Sequence, residues 1–182
     1  IRKSKQSSTR EMDDKKLNAI KKLTVINDSN TPDSLEAIFY SIDTTIDWHW
    51  EYQFKIMEVL GELNTEKSLR TFSKLISTRN LGFPGSRFFL RNLYDKTENC
   101  KYLFPDLVKA LEFQNYMEDD VLIIIQNGYK NNHLKKEDLI SSKPYLIDFY
   151  KRLKVERDSL PGWKHYRGYY SSYLPDLLLC LR

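Results

Sequence analysis

Glycine and proline are scarce in this chain, with six of each among 182 residues. Both residues are frequent in turns, so their scarcity favours long helices with short connections over a loop-rich or all-β fold. No apolar run reaches the roughly 18 residues that a membrane-spanning helix needs, and we expect no such helix. The chain has no signal peptide and opens at Ile1 without a methionine. We therefore expect a piece of a longer protein, whose compartment and oligomeric state stay open.

The motifs of metal and nucleotide chemistry are also missing. His49, His133 and His165 share no ligand spacing with each other or with a cysteine, whereas zinc sites pair their ligands two to four residues apart. Neither a Gly-x-Gly-x-x-Gly sequence nor a Walker loop is present. Cys100 and Cys180 are isolated in the sequence, and we expect two buried or half-buried thiols. A disulfide between them is the alternative. We predict no metal site and no cofactor.

Two stretches superficially suggest catalysis. Gly82–Ser86 ends in a serine, but the Gly-x-Ser-x-Gly sequence of a nucleophile elbow is absent, and a loop followed by an N-capping serine explains it. Glu118, Asp119 and Asp120 are adjacent, so on a helix they fan outward and do not converge on one substrate atom. Carboxylates at a helix N-terminus are favourable without any catalytic role. We predict no catalytic residue.

The net charge of +4 is unevenly distributed along the chain. Residues 1–30 hold eight basic and four acidic side chains, residues 31–129 hold ten and fifteen, and residues 130–167 hold ten and five. The basic pairs Lys15-Lys16 and Lys21-Lys22 indicate a solvated helix face. The acidic middle of the chain argues against specific nucleic-acid binding, which requires clustered Lys and Arg.

The stretch Tyr52–Ile76 is the centre of the fold prediction. Apolar side chains recur at helical spacing in both of its halves, first Ile56, Val59, Leu60 and Leu63, then Leu69, Phe72 and Ile76. Asn64 and Thr65 provide the turn and the N-cap between these two helices. A helix pair this short cannot bury both apolar faces alone, so it requires neighbouring pairs of the same kind.

Residues 1–30 are predicted to be a basic polar segment ahead of a helical array that covers residues 31–182. The first eleven residues lack periodicity and indicate a frayed terminus. A weak helix then covers Asp13–Ile26, with Leu17, Ile20 and Leu23 on one face. Thr31 is placed to cap the next helix, whose first turn contains Pro32.

Val121–Ile125 fits two kinds of element, because five apolar residues in a row also fit a buried strand. The carboxylates in front of it and Gly128 behind it favour a buried helix. Further helices are predicted to run roughly from Arg87 to Lys96 and to open at Pro105, at Lys143 and near Tyr173. Residues 158–168 are predicted to be irregular.

The helices recur at a regular interval. Successive first helices are anchored 34, 38, 39 and 31 residues apart, at Leu35, Leu69, Leu107, Leu146 and Leu177. Three of them open with the dipeptide Pro-Asp. This spacing is typical of stacked helix pairs. We therefore predict an all-α fold, an α-solenoid of four to five antiparallel helix pairs.

The junction Glu58–Ile76 (EVLGELNTEKSLRTFSKLI) resembles the junction between two HEAT repeats, with a small-residue break at Gly61, a polar turn and a leucine-led helix. The resemblance implies a curved stack whose second helices line a binding face. In addition, Leu103–Leu153 resembles the helical-repeat region that follows a TraB-like (GumN-like) domain in some large bacterial proteins. A parent protein of that kind would favour an extracytoplasmic location. Since no motif of the TraB-like domain lies in this chain, the resemblance implies no catalytic residue.

Two aromatic clusters, Trp48–Tyr52 and Trp163–Tyr170, are the unusual features. Adjacent helical residues point about 100° apart, so such rings cannot all face one core, and exposed Trp, Tyr and Arg dominate binding hot spots. Packing between repeats is the alternative explanation. The predicted partner-binding residues are Trp48, Trp50, Tyr52, Lys55, Arg87, Arg91, Trp163, Tyr166, Arg167, Tyr169 and Tyr170.

These features predict a non-catalytic scaffold or protein-interaction module of a larger protein. Its partner would be a protein or another domain of the same parent. One alternative is a HEAT-like domain that binds nucleic acid or excises bases from DNA. The other is a structural support for an enzymatic, TraB-like domain elsewhere in the parent chain.

Overall fold

The computed structural model of the chain describes residues 2–26, 28–43, 50–78, 90, 93, 95–113 and 118–159. Within these ranges every regular element is a helix and none is a strand, which confirms the all-α prediction for this part of the chain. The α-helices are α1 (Arg2–Ile26), α2 (Thr31–Ser41), α3 (Trp50–Leu63), α4 (Glu66–Thr78), α5 (Asp106–Lys109), α6 (Glu118–Lys130), α7 (Lys136–Leu139) and α8 (Lys143–Ser159). Short 3₁₀ turns lie at Cys100–Leu103, Ala110–Phe113 and Ile140–Ser142.

Helix α1 begins earlier than the sequence predicts. It starts at Arg2 instead of Asp13, because no proline or glycine interrupts residues 1–26 and the Lys, Arg, Gln, Glu and Met residues there have good helix propensity. Ile20 is buried, and Leu17 and Leu23 are half-buried against the core, as their spacing predicts. The part of α1 from Leu17 to Leu23 is therefore packed on the core, while the prediction of a frayed terminus for the first eleven residues stays a prediction.

Asp28, and not Thr31, stabilises the start of α2 with its side chain. Asp28 Oδ1 accepts the backbone N–H of Asn30 at 2.8 Å and the Thr31 hydroxyl at 3.1 Å. These bonds, the one from Asn30 foremost, hold the pKa of Asp28 below its ordinary value. Thr31 is itself the first residue of the helix and is buried, and Pro32 follows it in the first turn.

The turn between α3 and α4 forms as predicted. Asn64 has a φ of 47°, a left-handed conformation that asparagine adopts more readily than most residues. Thr65 Oγ1 accepts the N–H of Ser68 at 3.2 Å, and Ser68 Oγ accepts the N–H of Thr65 at 2.9 Å. This reciprocal pair is a capping box, and it satisfies the backbone N–H groups of Thr65 and Ser68 at the start of α4.

The apolar run Val121–Ile125 is a buried helix, as predicted, within α6. Four of its five side chains are buried and Ile123 is half-buried. The helix does not end at Gly128. The left-handed turn is made by Asn132, with a φ of 59°, while the Gly128 carbonyl accepts the N–H groups of His133 at 2.9 Å and Leu134 at 3.1 Å.

Gly61 and Gly128 are both buried inside a helix, but they differ in the space around them. Gly61 does not break α3 as the sequence suggests, because the helix continues to Leu63. A Cβ at Gly61 would lie 3.6 Å from Leu93 Cδ2, an ordinary contact distance. A Cβ at Gly128 would lie 2.7 Å from Cys100 Sγ. Only Gly128 is therefore required for close approach.

The helices share one core and pack in chain order. Helix α1 contacts α3, α2 contacts both α3 and α4, α4 contacts α5, and α5 contacts α8. The predicted anchors Leu35, Leu69, Leu107 and Leu146 are all fully buried on helices of this series. Leu60, predicted to lie in the seam of the stack, is fully buried on α3. Most of these contacts join neighbouring or next-but-one helices, while α5 and α8 meet across the two helices between them.

Polar contacts between the elements follow the same interval. Eight side-chain hydrogen bonds join residues 34 to 41 positions apart. Among them, Lys74 Nζ contacts Glu36 Oε1 at 2.5 Å, Asn99 Nδ2 donates to Asn64 O at 2.9 Å, and Arg152 Nη2 donates to Leu111 O at 2.8 Å. This range overlaps the spacing of the apolar anchors, 31 to 39 residues.

Candidate interaction surface

The predicted partner-binding residues fall into two groups. Trp50, Tyr52 and Lys55 lie on α3. The others, Trp48, Arg87, Arg91, Trp163, Tyr166, Arg167, Tyr169 and Tyr170, lie outside the described residues, and their roles stay predictions. Cys180 also lies outside them. The structure therefore bears on the first aromatic cluster at Trp50 and Tyr52 and leaves the second untested.

Tyr52 was wrongly predicted to be exposed. Only 6% of its surface is accessible, whereas Trp50 is 45% exposed. The reason is that α3 packs against α1, α2 and α4, so most of its circumference is covered. Gln53, next to Tyr52, is buried as well. Tyr52 and Gln53 therefore lie on the covered side of α3.

The accessible side of α3 forms a narrow line, which we call the α3 ridge, made by Trp50, Phe54, Glu58 and Glu62. These residues are four positions apart, the spacing that produces an inclined ridge on a helix surface. Trp50 and Glu62 are exposed, and Phe54 and Glu58 are half-buried. Phe54, Glu58 and Glu62 were not predicted as binding residues from the sequence. The signal that could have found them is the four-residue interval that starts at Trp50.

The charges on the α3 ridge are only partly balanced. Lys55 forms an ion pair with Glu58, and both side chains are about three-quarters covered. Glu62, and Glu51 beside Trp50, are exposed, and neither forms an ion pair with any residue in the described ranges. The ridge therefore carries two aromatic side chains, one paired carboxylate at Glu58 and one unpaired carboxylate at Glu62.

The opposite charges of α2 and α4 are paired, in contrast to those of the ridge. Lys67 Nζ contacts Asp33 Oδ2 at 2.5 Å, and Arg70 Nε contacts Glu66 Oε1 at 3.0 Å. The bond between Lys74 and Glu36 raises the pKa of Lys74, first through hydrogen bonding and then through charge. The α2–α4 side of the molecule thus satisfies its own charges.

A second polar cluster lies between the 3₁₀ turn at Cys100 and the end of α6. Thr97 Oγ1 is 2.8 Å from His133 Nδ1 and accepts a hydrogen bond from Asn131 Nδ2 at 3.1 Å. A hydroxyl beside an imidazole could suggest a nucleophile and its base. However, Thr97 is only 1% exposed, so a substrate could not reach it, and the cluster instead links two parts of the fold.

Cys100 lies beside this cluster and is a free, buried thiol, as expected for it from the sequence. Burial, followed by the charge of Asp138, raises the pKa of Cys100 to about 11. The thiol is therefore protonated at neutral pH and is a poor nucleophile. Its role in this structure is to pack against Gly128.

Asp120 also departs from its predicted position. The sequence places it in an outward-facing fan of acids, but its side chain is buried, on the same face of α6 as Ile124 one turn later. Among the residues that the structure describes, no three His, Cys, Asp or Glu side chains lie close enough to share a metal ion. The described helices also include none with the length and apolar character needed to cross a bilayer.

Comparison of the chain with protein-family models, with curated proteins and with solved structures finds no match.

Proposed function

We propose that this chain is a non-catalytic helical-repeat module, with a HEAT-like stack of helix pairs, that binds a protein or another domain of a larger parent. The architecture is supported by the packing of α2, α4, α5 and α8 in chain order. It is also supported by the hydrogen bonds between residues 34 to 41 positions apart, since each repeat of such a stack contacts only its neighbours.

The observation that carries the binding role is the α3 ridge. Trp50 keeps nearly half of its surface exposed on a helix that is otherwise packed on several sides. Tryptophan is among the residues enriched at binding hot spots, and Phe54, half-buried one turn further on, extends the apolar surface beside it. In a HEAT-like stack α3 is a second helix, the kind that lines the binding face.

The test is quantitative affinity enrichment from a lysate, followed by reconstitution. The immobilised full chain and its Trp50→Ala variant serve as paired baits, and candidate partners are those enriched on the first over the second. A purified partner that binds with a Kd of about 10 μM or tighter, and at least tenfold more weakly to the variant, supports the proposal. If no purified candidate binds the full chain, the proposal is refuted.

The segment Trp163–Tyr170 is proposed as a second contact region of the same module. The proposal rests on its sequence, since four aromatic and two basic residues follow Pro161-Gly162. Replacing its aromatic residues with alanine should weaken the reconstituted complex. Unchanged binding would leave the segment with a packing role only.

Nucleic-acid binding is the second candidate function, and one observation favours it. Lys16, Lys21 and Lys22 are exposed on α1 and form no ion pair with other described residues. The test is fluorescence anisotropy with labelled duplex DNA and single-stranded RNA at about 150 mM salt, where non-specific binding lies at about 1–100 μM. Submicromolar binding that is lost when the three lysines are replaced by glutamine would favour this candidate over the first.

A further inference from the structure

We propose that Asn127 is a site of spontaneous deamidation, a reaction that the fold of α6 suppresses and whose isoaspartyl product does not fit the folded structure. Asn127-Gly128 is the only Asn-Gly pair in the sequence. Such a pair reacts readily in a flexible chain, because glycine puts no side chain beside the attacking nitrogen and leaves the backbone free to turn. In α6, Asn127 is half-buried and Gly128 is buried.

The reaction needs only groups of the chain itself and water. The backbone nitrogen of Gly128 attacks Cγ of Asn127, so that an N–Cγ bond forms and the bond from Cγ to the amide nitrogen breaks. Ammonia leaves with the backbone proton of Gly128, and a five-membered succinimide ring remains. Water then opens one of the two C–N bonds of this ring and yields aspartate or isoaspartate. No electrons are transferred, and the two steps together exchange ammonia for water.

The helical backbone prevents the first of these steps. The ring requires Cβ of Asn127 and the nitrogen of Gly128 to be nearly eclipsed about the Cα–C bond, whereas the helical ψ of about −42° keeps them apart. The N–H of a residue inside an α-helix also donates to the carbonyl four residues earlier, so the nitrogen of Gly128 is engaged within α6. Attack therefore requires the end of α6 to open first.

The contacts around the pair oppose this opening. Asn127 O accepts the N–H of Asn131 at 3.0 Å, and Gly128 O accepts the N–H of His133 at 2.9 Å. Thr97 holds the same turn from outside the helix, since its Oγ1 accepts a hydrogen bond from Asn131 Nδ2 at 3.1 Å and lies 2.8 Å from His133 Nδ1. Local opening of a fold has its own free energy, so the deamidation rate should follow the fraction of molecules in which these bonds are broken.

Isoaspartate in place of Asn127 does not fit the helix. It carries Cβ in the main chain, so the backbone is one carbon longer, and the hydrogen bonds on its two sides no longer share one helical register. A shift of Gly128 cannot absorb the extra atom on the side of its neighbours, because even a Cβ there would lie 2.7 Å from Cys100 Sγ and 3.0 Å from Leu134 Cβ. Deamidation by this route therefore removes the packing of α6 permanently.

The experiment is peptide mapping by mass spectrometry after the full chain has been incubated at neutral pH and body temperature, in buffer and in guanidinium chloride. Electron-based fragmentation separates isoaspartate from aspartate and Asn127 from Asn131 and Asn132. Asn127 should deamidate at least tenfold faster in guanidinium chloride, where α6 is unfolded, than in buffer. An Asn127→Gln variant should give no product at this position, since glutamine would have to close a six-membered ring.

Thr97→Val and its matched control Thr78→Val test the dependence on opening. Thr97→Val removes the partner of Asn131 and His133, so it should raise the rate at Asn127 in buffer at least fivefold. Thr78→Val, at an exposed position on α4, should leave the rate within twofold. In guanidinium chloride both variants should react like the unmodified chain, because no fold remains to protect the pair.

The last measurement compares thermal unfolding of the refolded isoaspartyl fraction with that of an Asn127→Asp variant, which has the charge of the product on an unmodified backbone. The isoaspartyl fraction should melt at a lower temperature than the variant, and equal melting would overturn the misfit of isoaspartate. Absence of deamidation at Asn127 in guanidinium chloride would overturn the site itself. Equal rates in buffer and denaturant, or equal rates in the two threonine variants, would overturn its protection by α6.

Discussion

Replacing Gly61 with alanine should stabilise this protein, whereas the same replacement at Gly128 should destabilise it. Both glycines are buried inside α-helices. Both replacements therefore gain the helix propensity of alanine over glycine, about 0.8–1 kcal/mol. The two sites differ in what the added methyl group meets.

At Gly61 the new Cβ would lie 3.6 Å from Leu93 Cδ2 and 3.9 Å from Phe72 Cε2. These are ordinary van der Waals separations, so the methyl group adds contacts without displacing a neighbour. The free energy of unfolding should rise by about 1 kcal/mol. In a chain of this size that corresponds to an increase in Tm of about 2–4 °C.

At Gly128 the new Cβ would lie 2.7 Å from Cys100 Sγ and 3.0 Å from Leu134 Cβ. The first distance is well inside van der Waals contact, and Leu134 Cβ is attached directly to the backbone and cannot rotate away. Overpacking of this kind costs about 1–3 kcal/mol. Since that cost exceeds the gain in propensity over most of its range, we expect a net loss of up to about 2 kcal/mol.

The assay is urea unfolding followed by circular dichroism, with Cys100→Ala made alone and together with Gly128→Ala. If the sulfur atom carries the penalty, Gly128→Ala should cost less by at least about 0.5 kcal/mol in the Cys100→Ala background, which a double-mutant cycle measures. A destabilised Gly61→Ala, or a stabilised Gly128→Ala, would refute the packing of α3 against Leu93 and of α6 against Cys100.

Three further perturbations test other parts of the structure. Leu60→Asp buries an unpaired carboxylate, which costs several kcal/mol. The variant should therefore lose most of its helical circular-dichroism signal at 25 °C. A melting curve like that of the unmodified chain would contradict the packing of α3. The pKa of Asp28 is lower in the folded state than its ordinary value of 3.8, so its contribution is present above pH 3.8 and lost as the pH falls through the folded-state pKa. Asp28→Ala should therefore flatten the acid limb of a stability–pH curve, and an unchanged limb would show that the bonds at the start of α2 do not matter. Thr97→Val leaves the side-chain amide of Asn131 and the ring of His133 without their partner, at a cost of about 1–3 kcal/mol in the free energy of unfolding. Thr78→Val, at an exposed position, is the control. Equal effects of the two variants on stability would show that the Thr97 cluster contributes nothing.

The local pattern of apolar residues was sufficient for much of the helical structure. The spacing of Ile56, Leu60 and Leu69 identified the buried faces of α3 and α4, and the polar pair Asn64-Thr65 identified the turn between them. Val121–Ile125 was correctly assigned to a helix because its flanking residues outweighed the strand-like run. These features are local, since each depends on residues within one or two turns of the same helix.

The position of capping groups was less predictable. Thr31 is a good N-cap residue by type, yet Asp28 makes the bonds to Asn30 and Thr31. Gly128 has the residue type of a helix terminator, yet Asn132 makes the left-handed turn. In each case several nearby residues are of a type that can cap or end a helix, and the three-dimensional path of the chain determines which of them does so.

The identity of the accessible surface was determined only by the tertiary structure. By sequence, Tyr52 is as good a hot-spot residue as Trp50, but α1, α2 and α4 cover its side of α3 and leave Trp50 at the edge. The same coverage defines the ridge that continues to Phe54, Glu58 and Glu62. Helical periodicity states which residues share a face, but contacts with helices that are distant in the chain decide which face remains open to a partner.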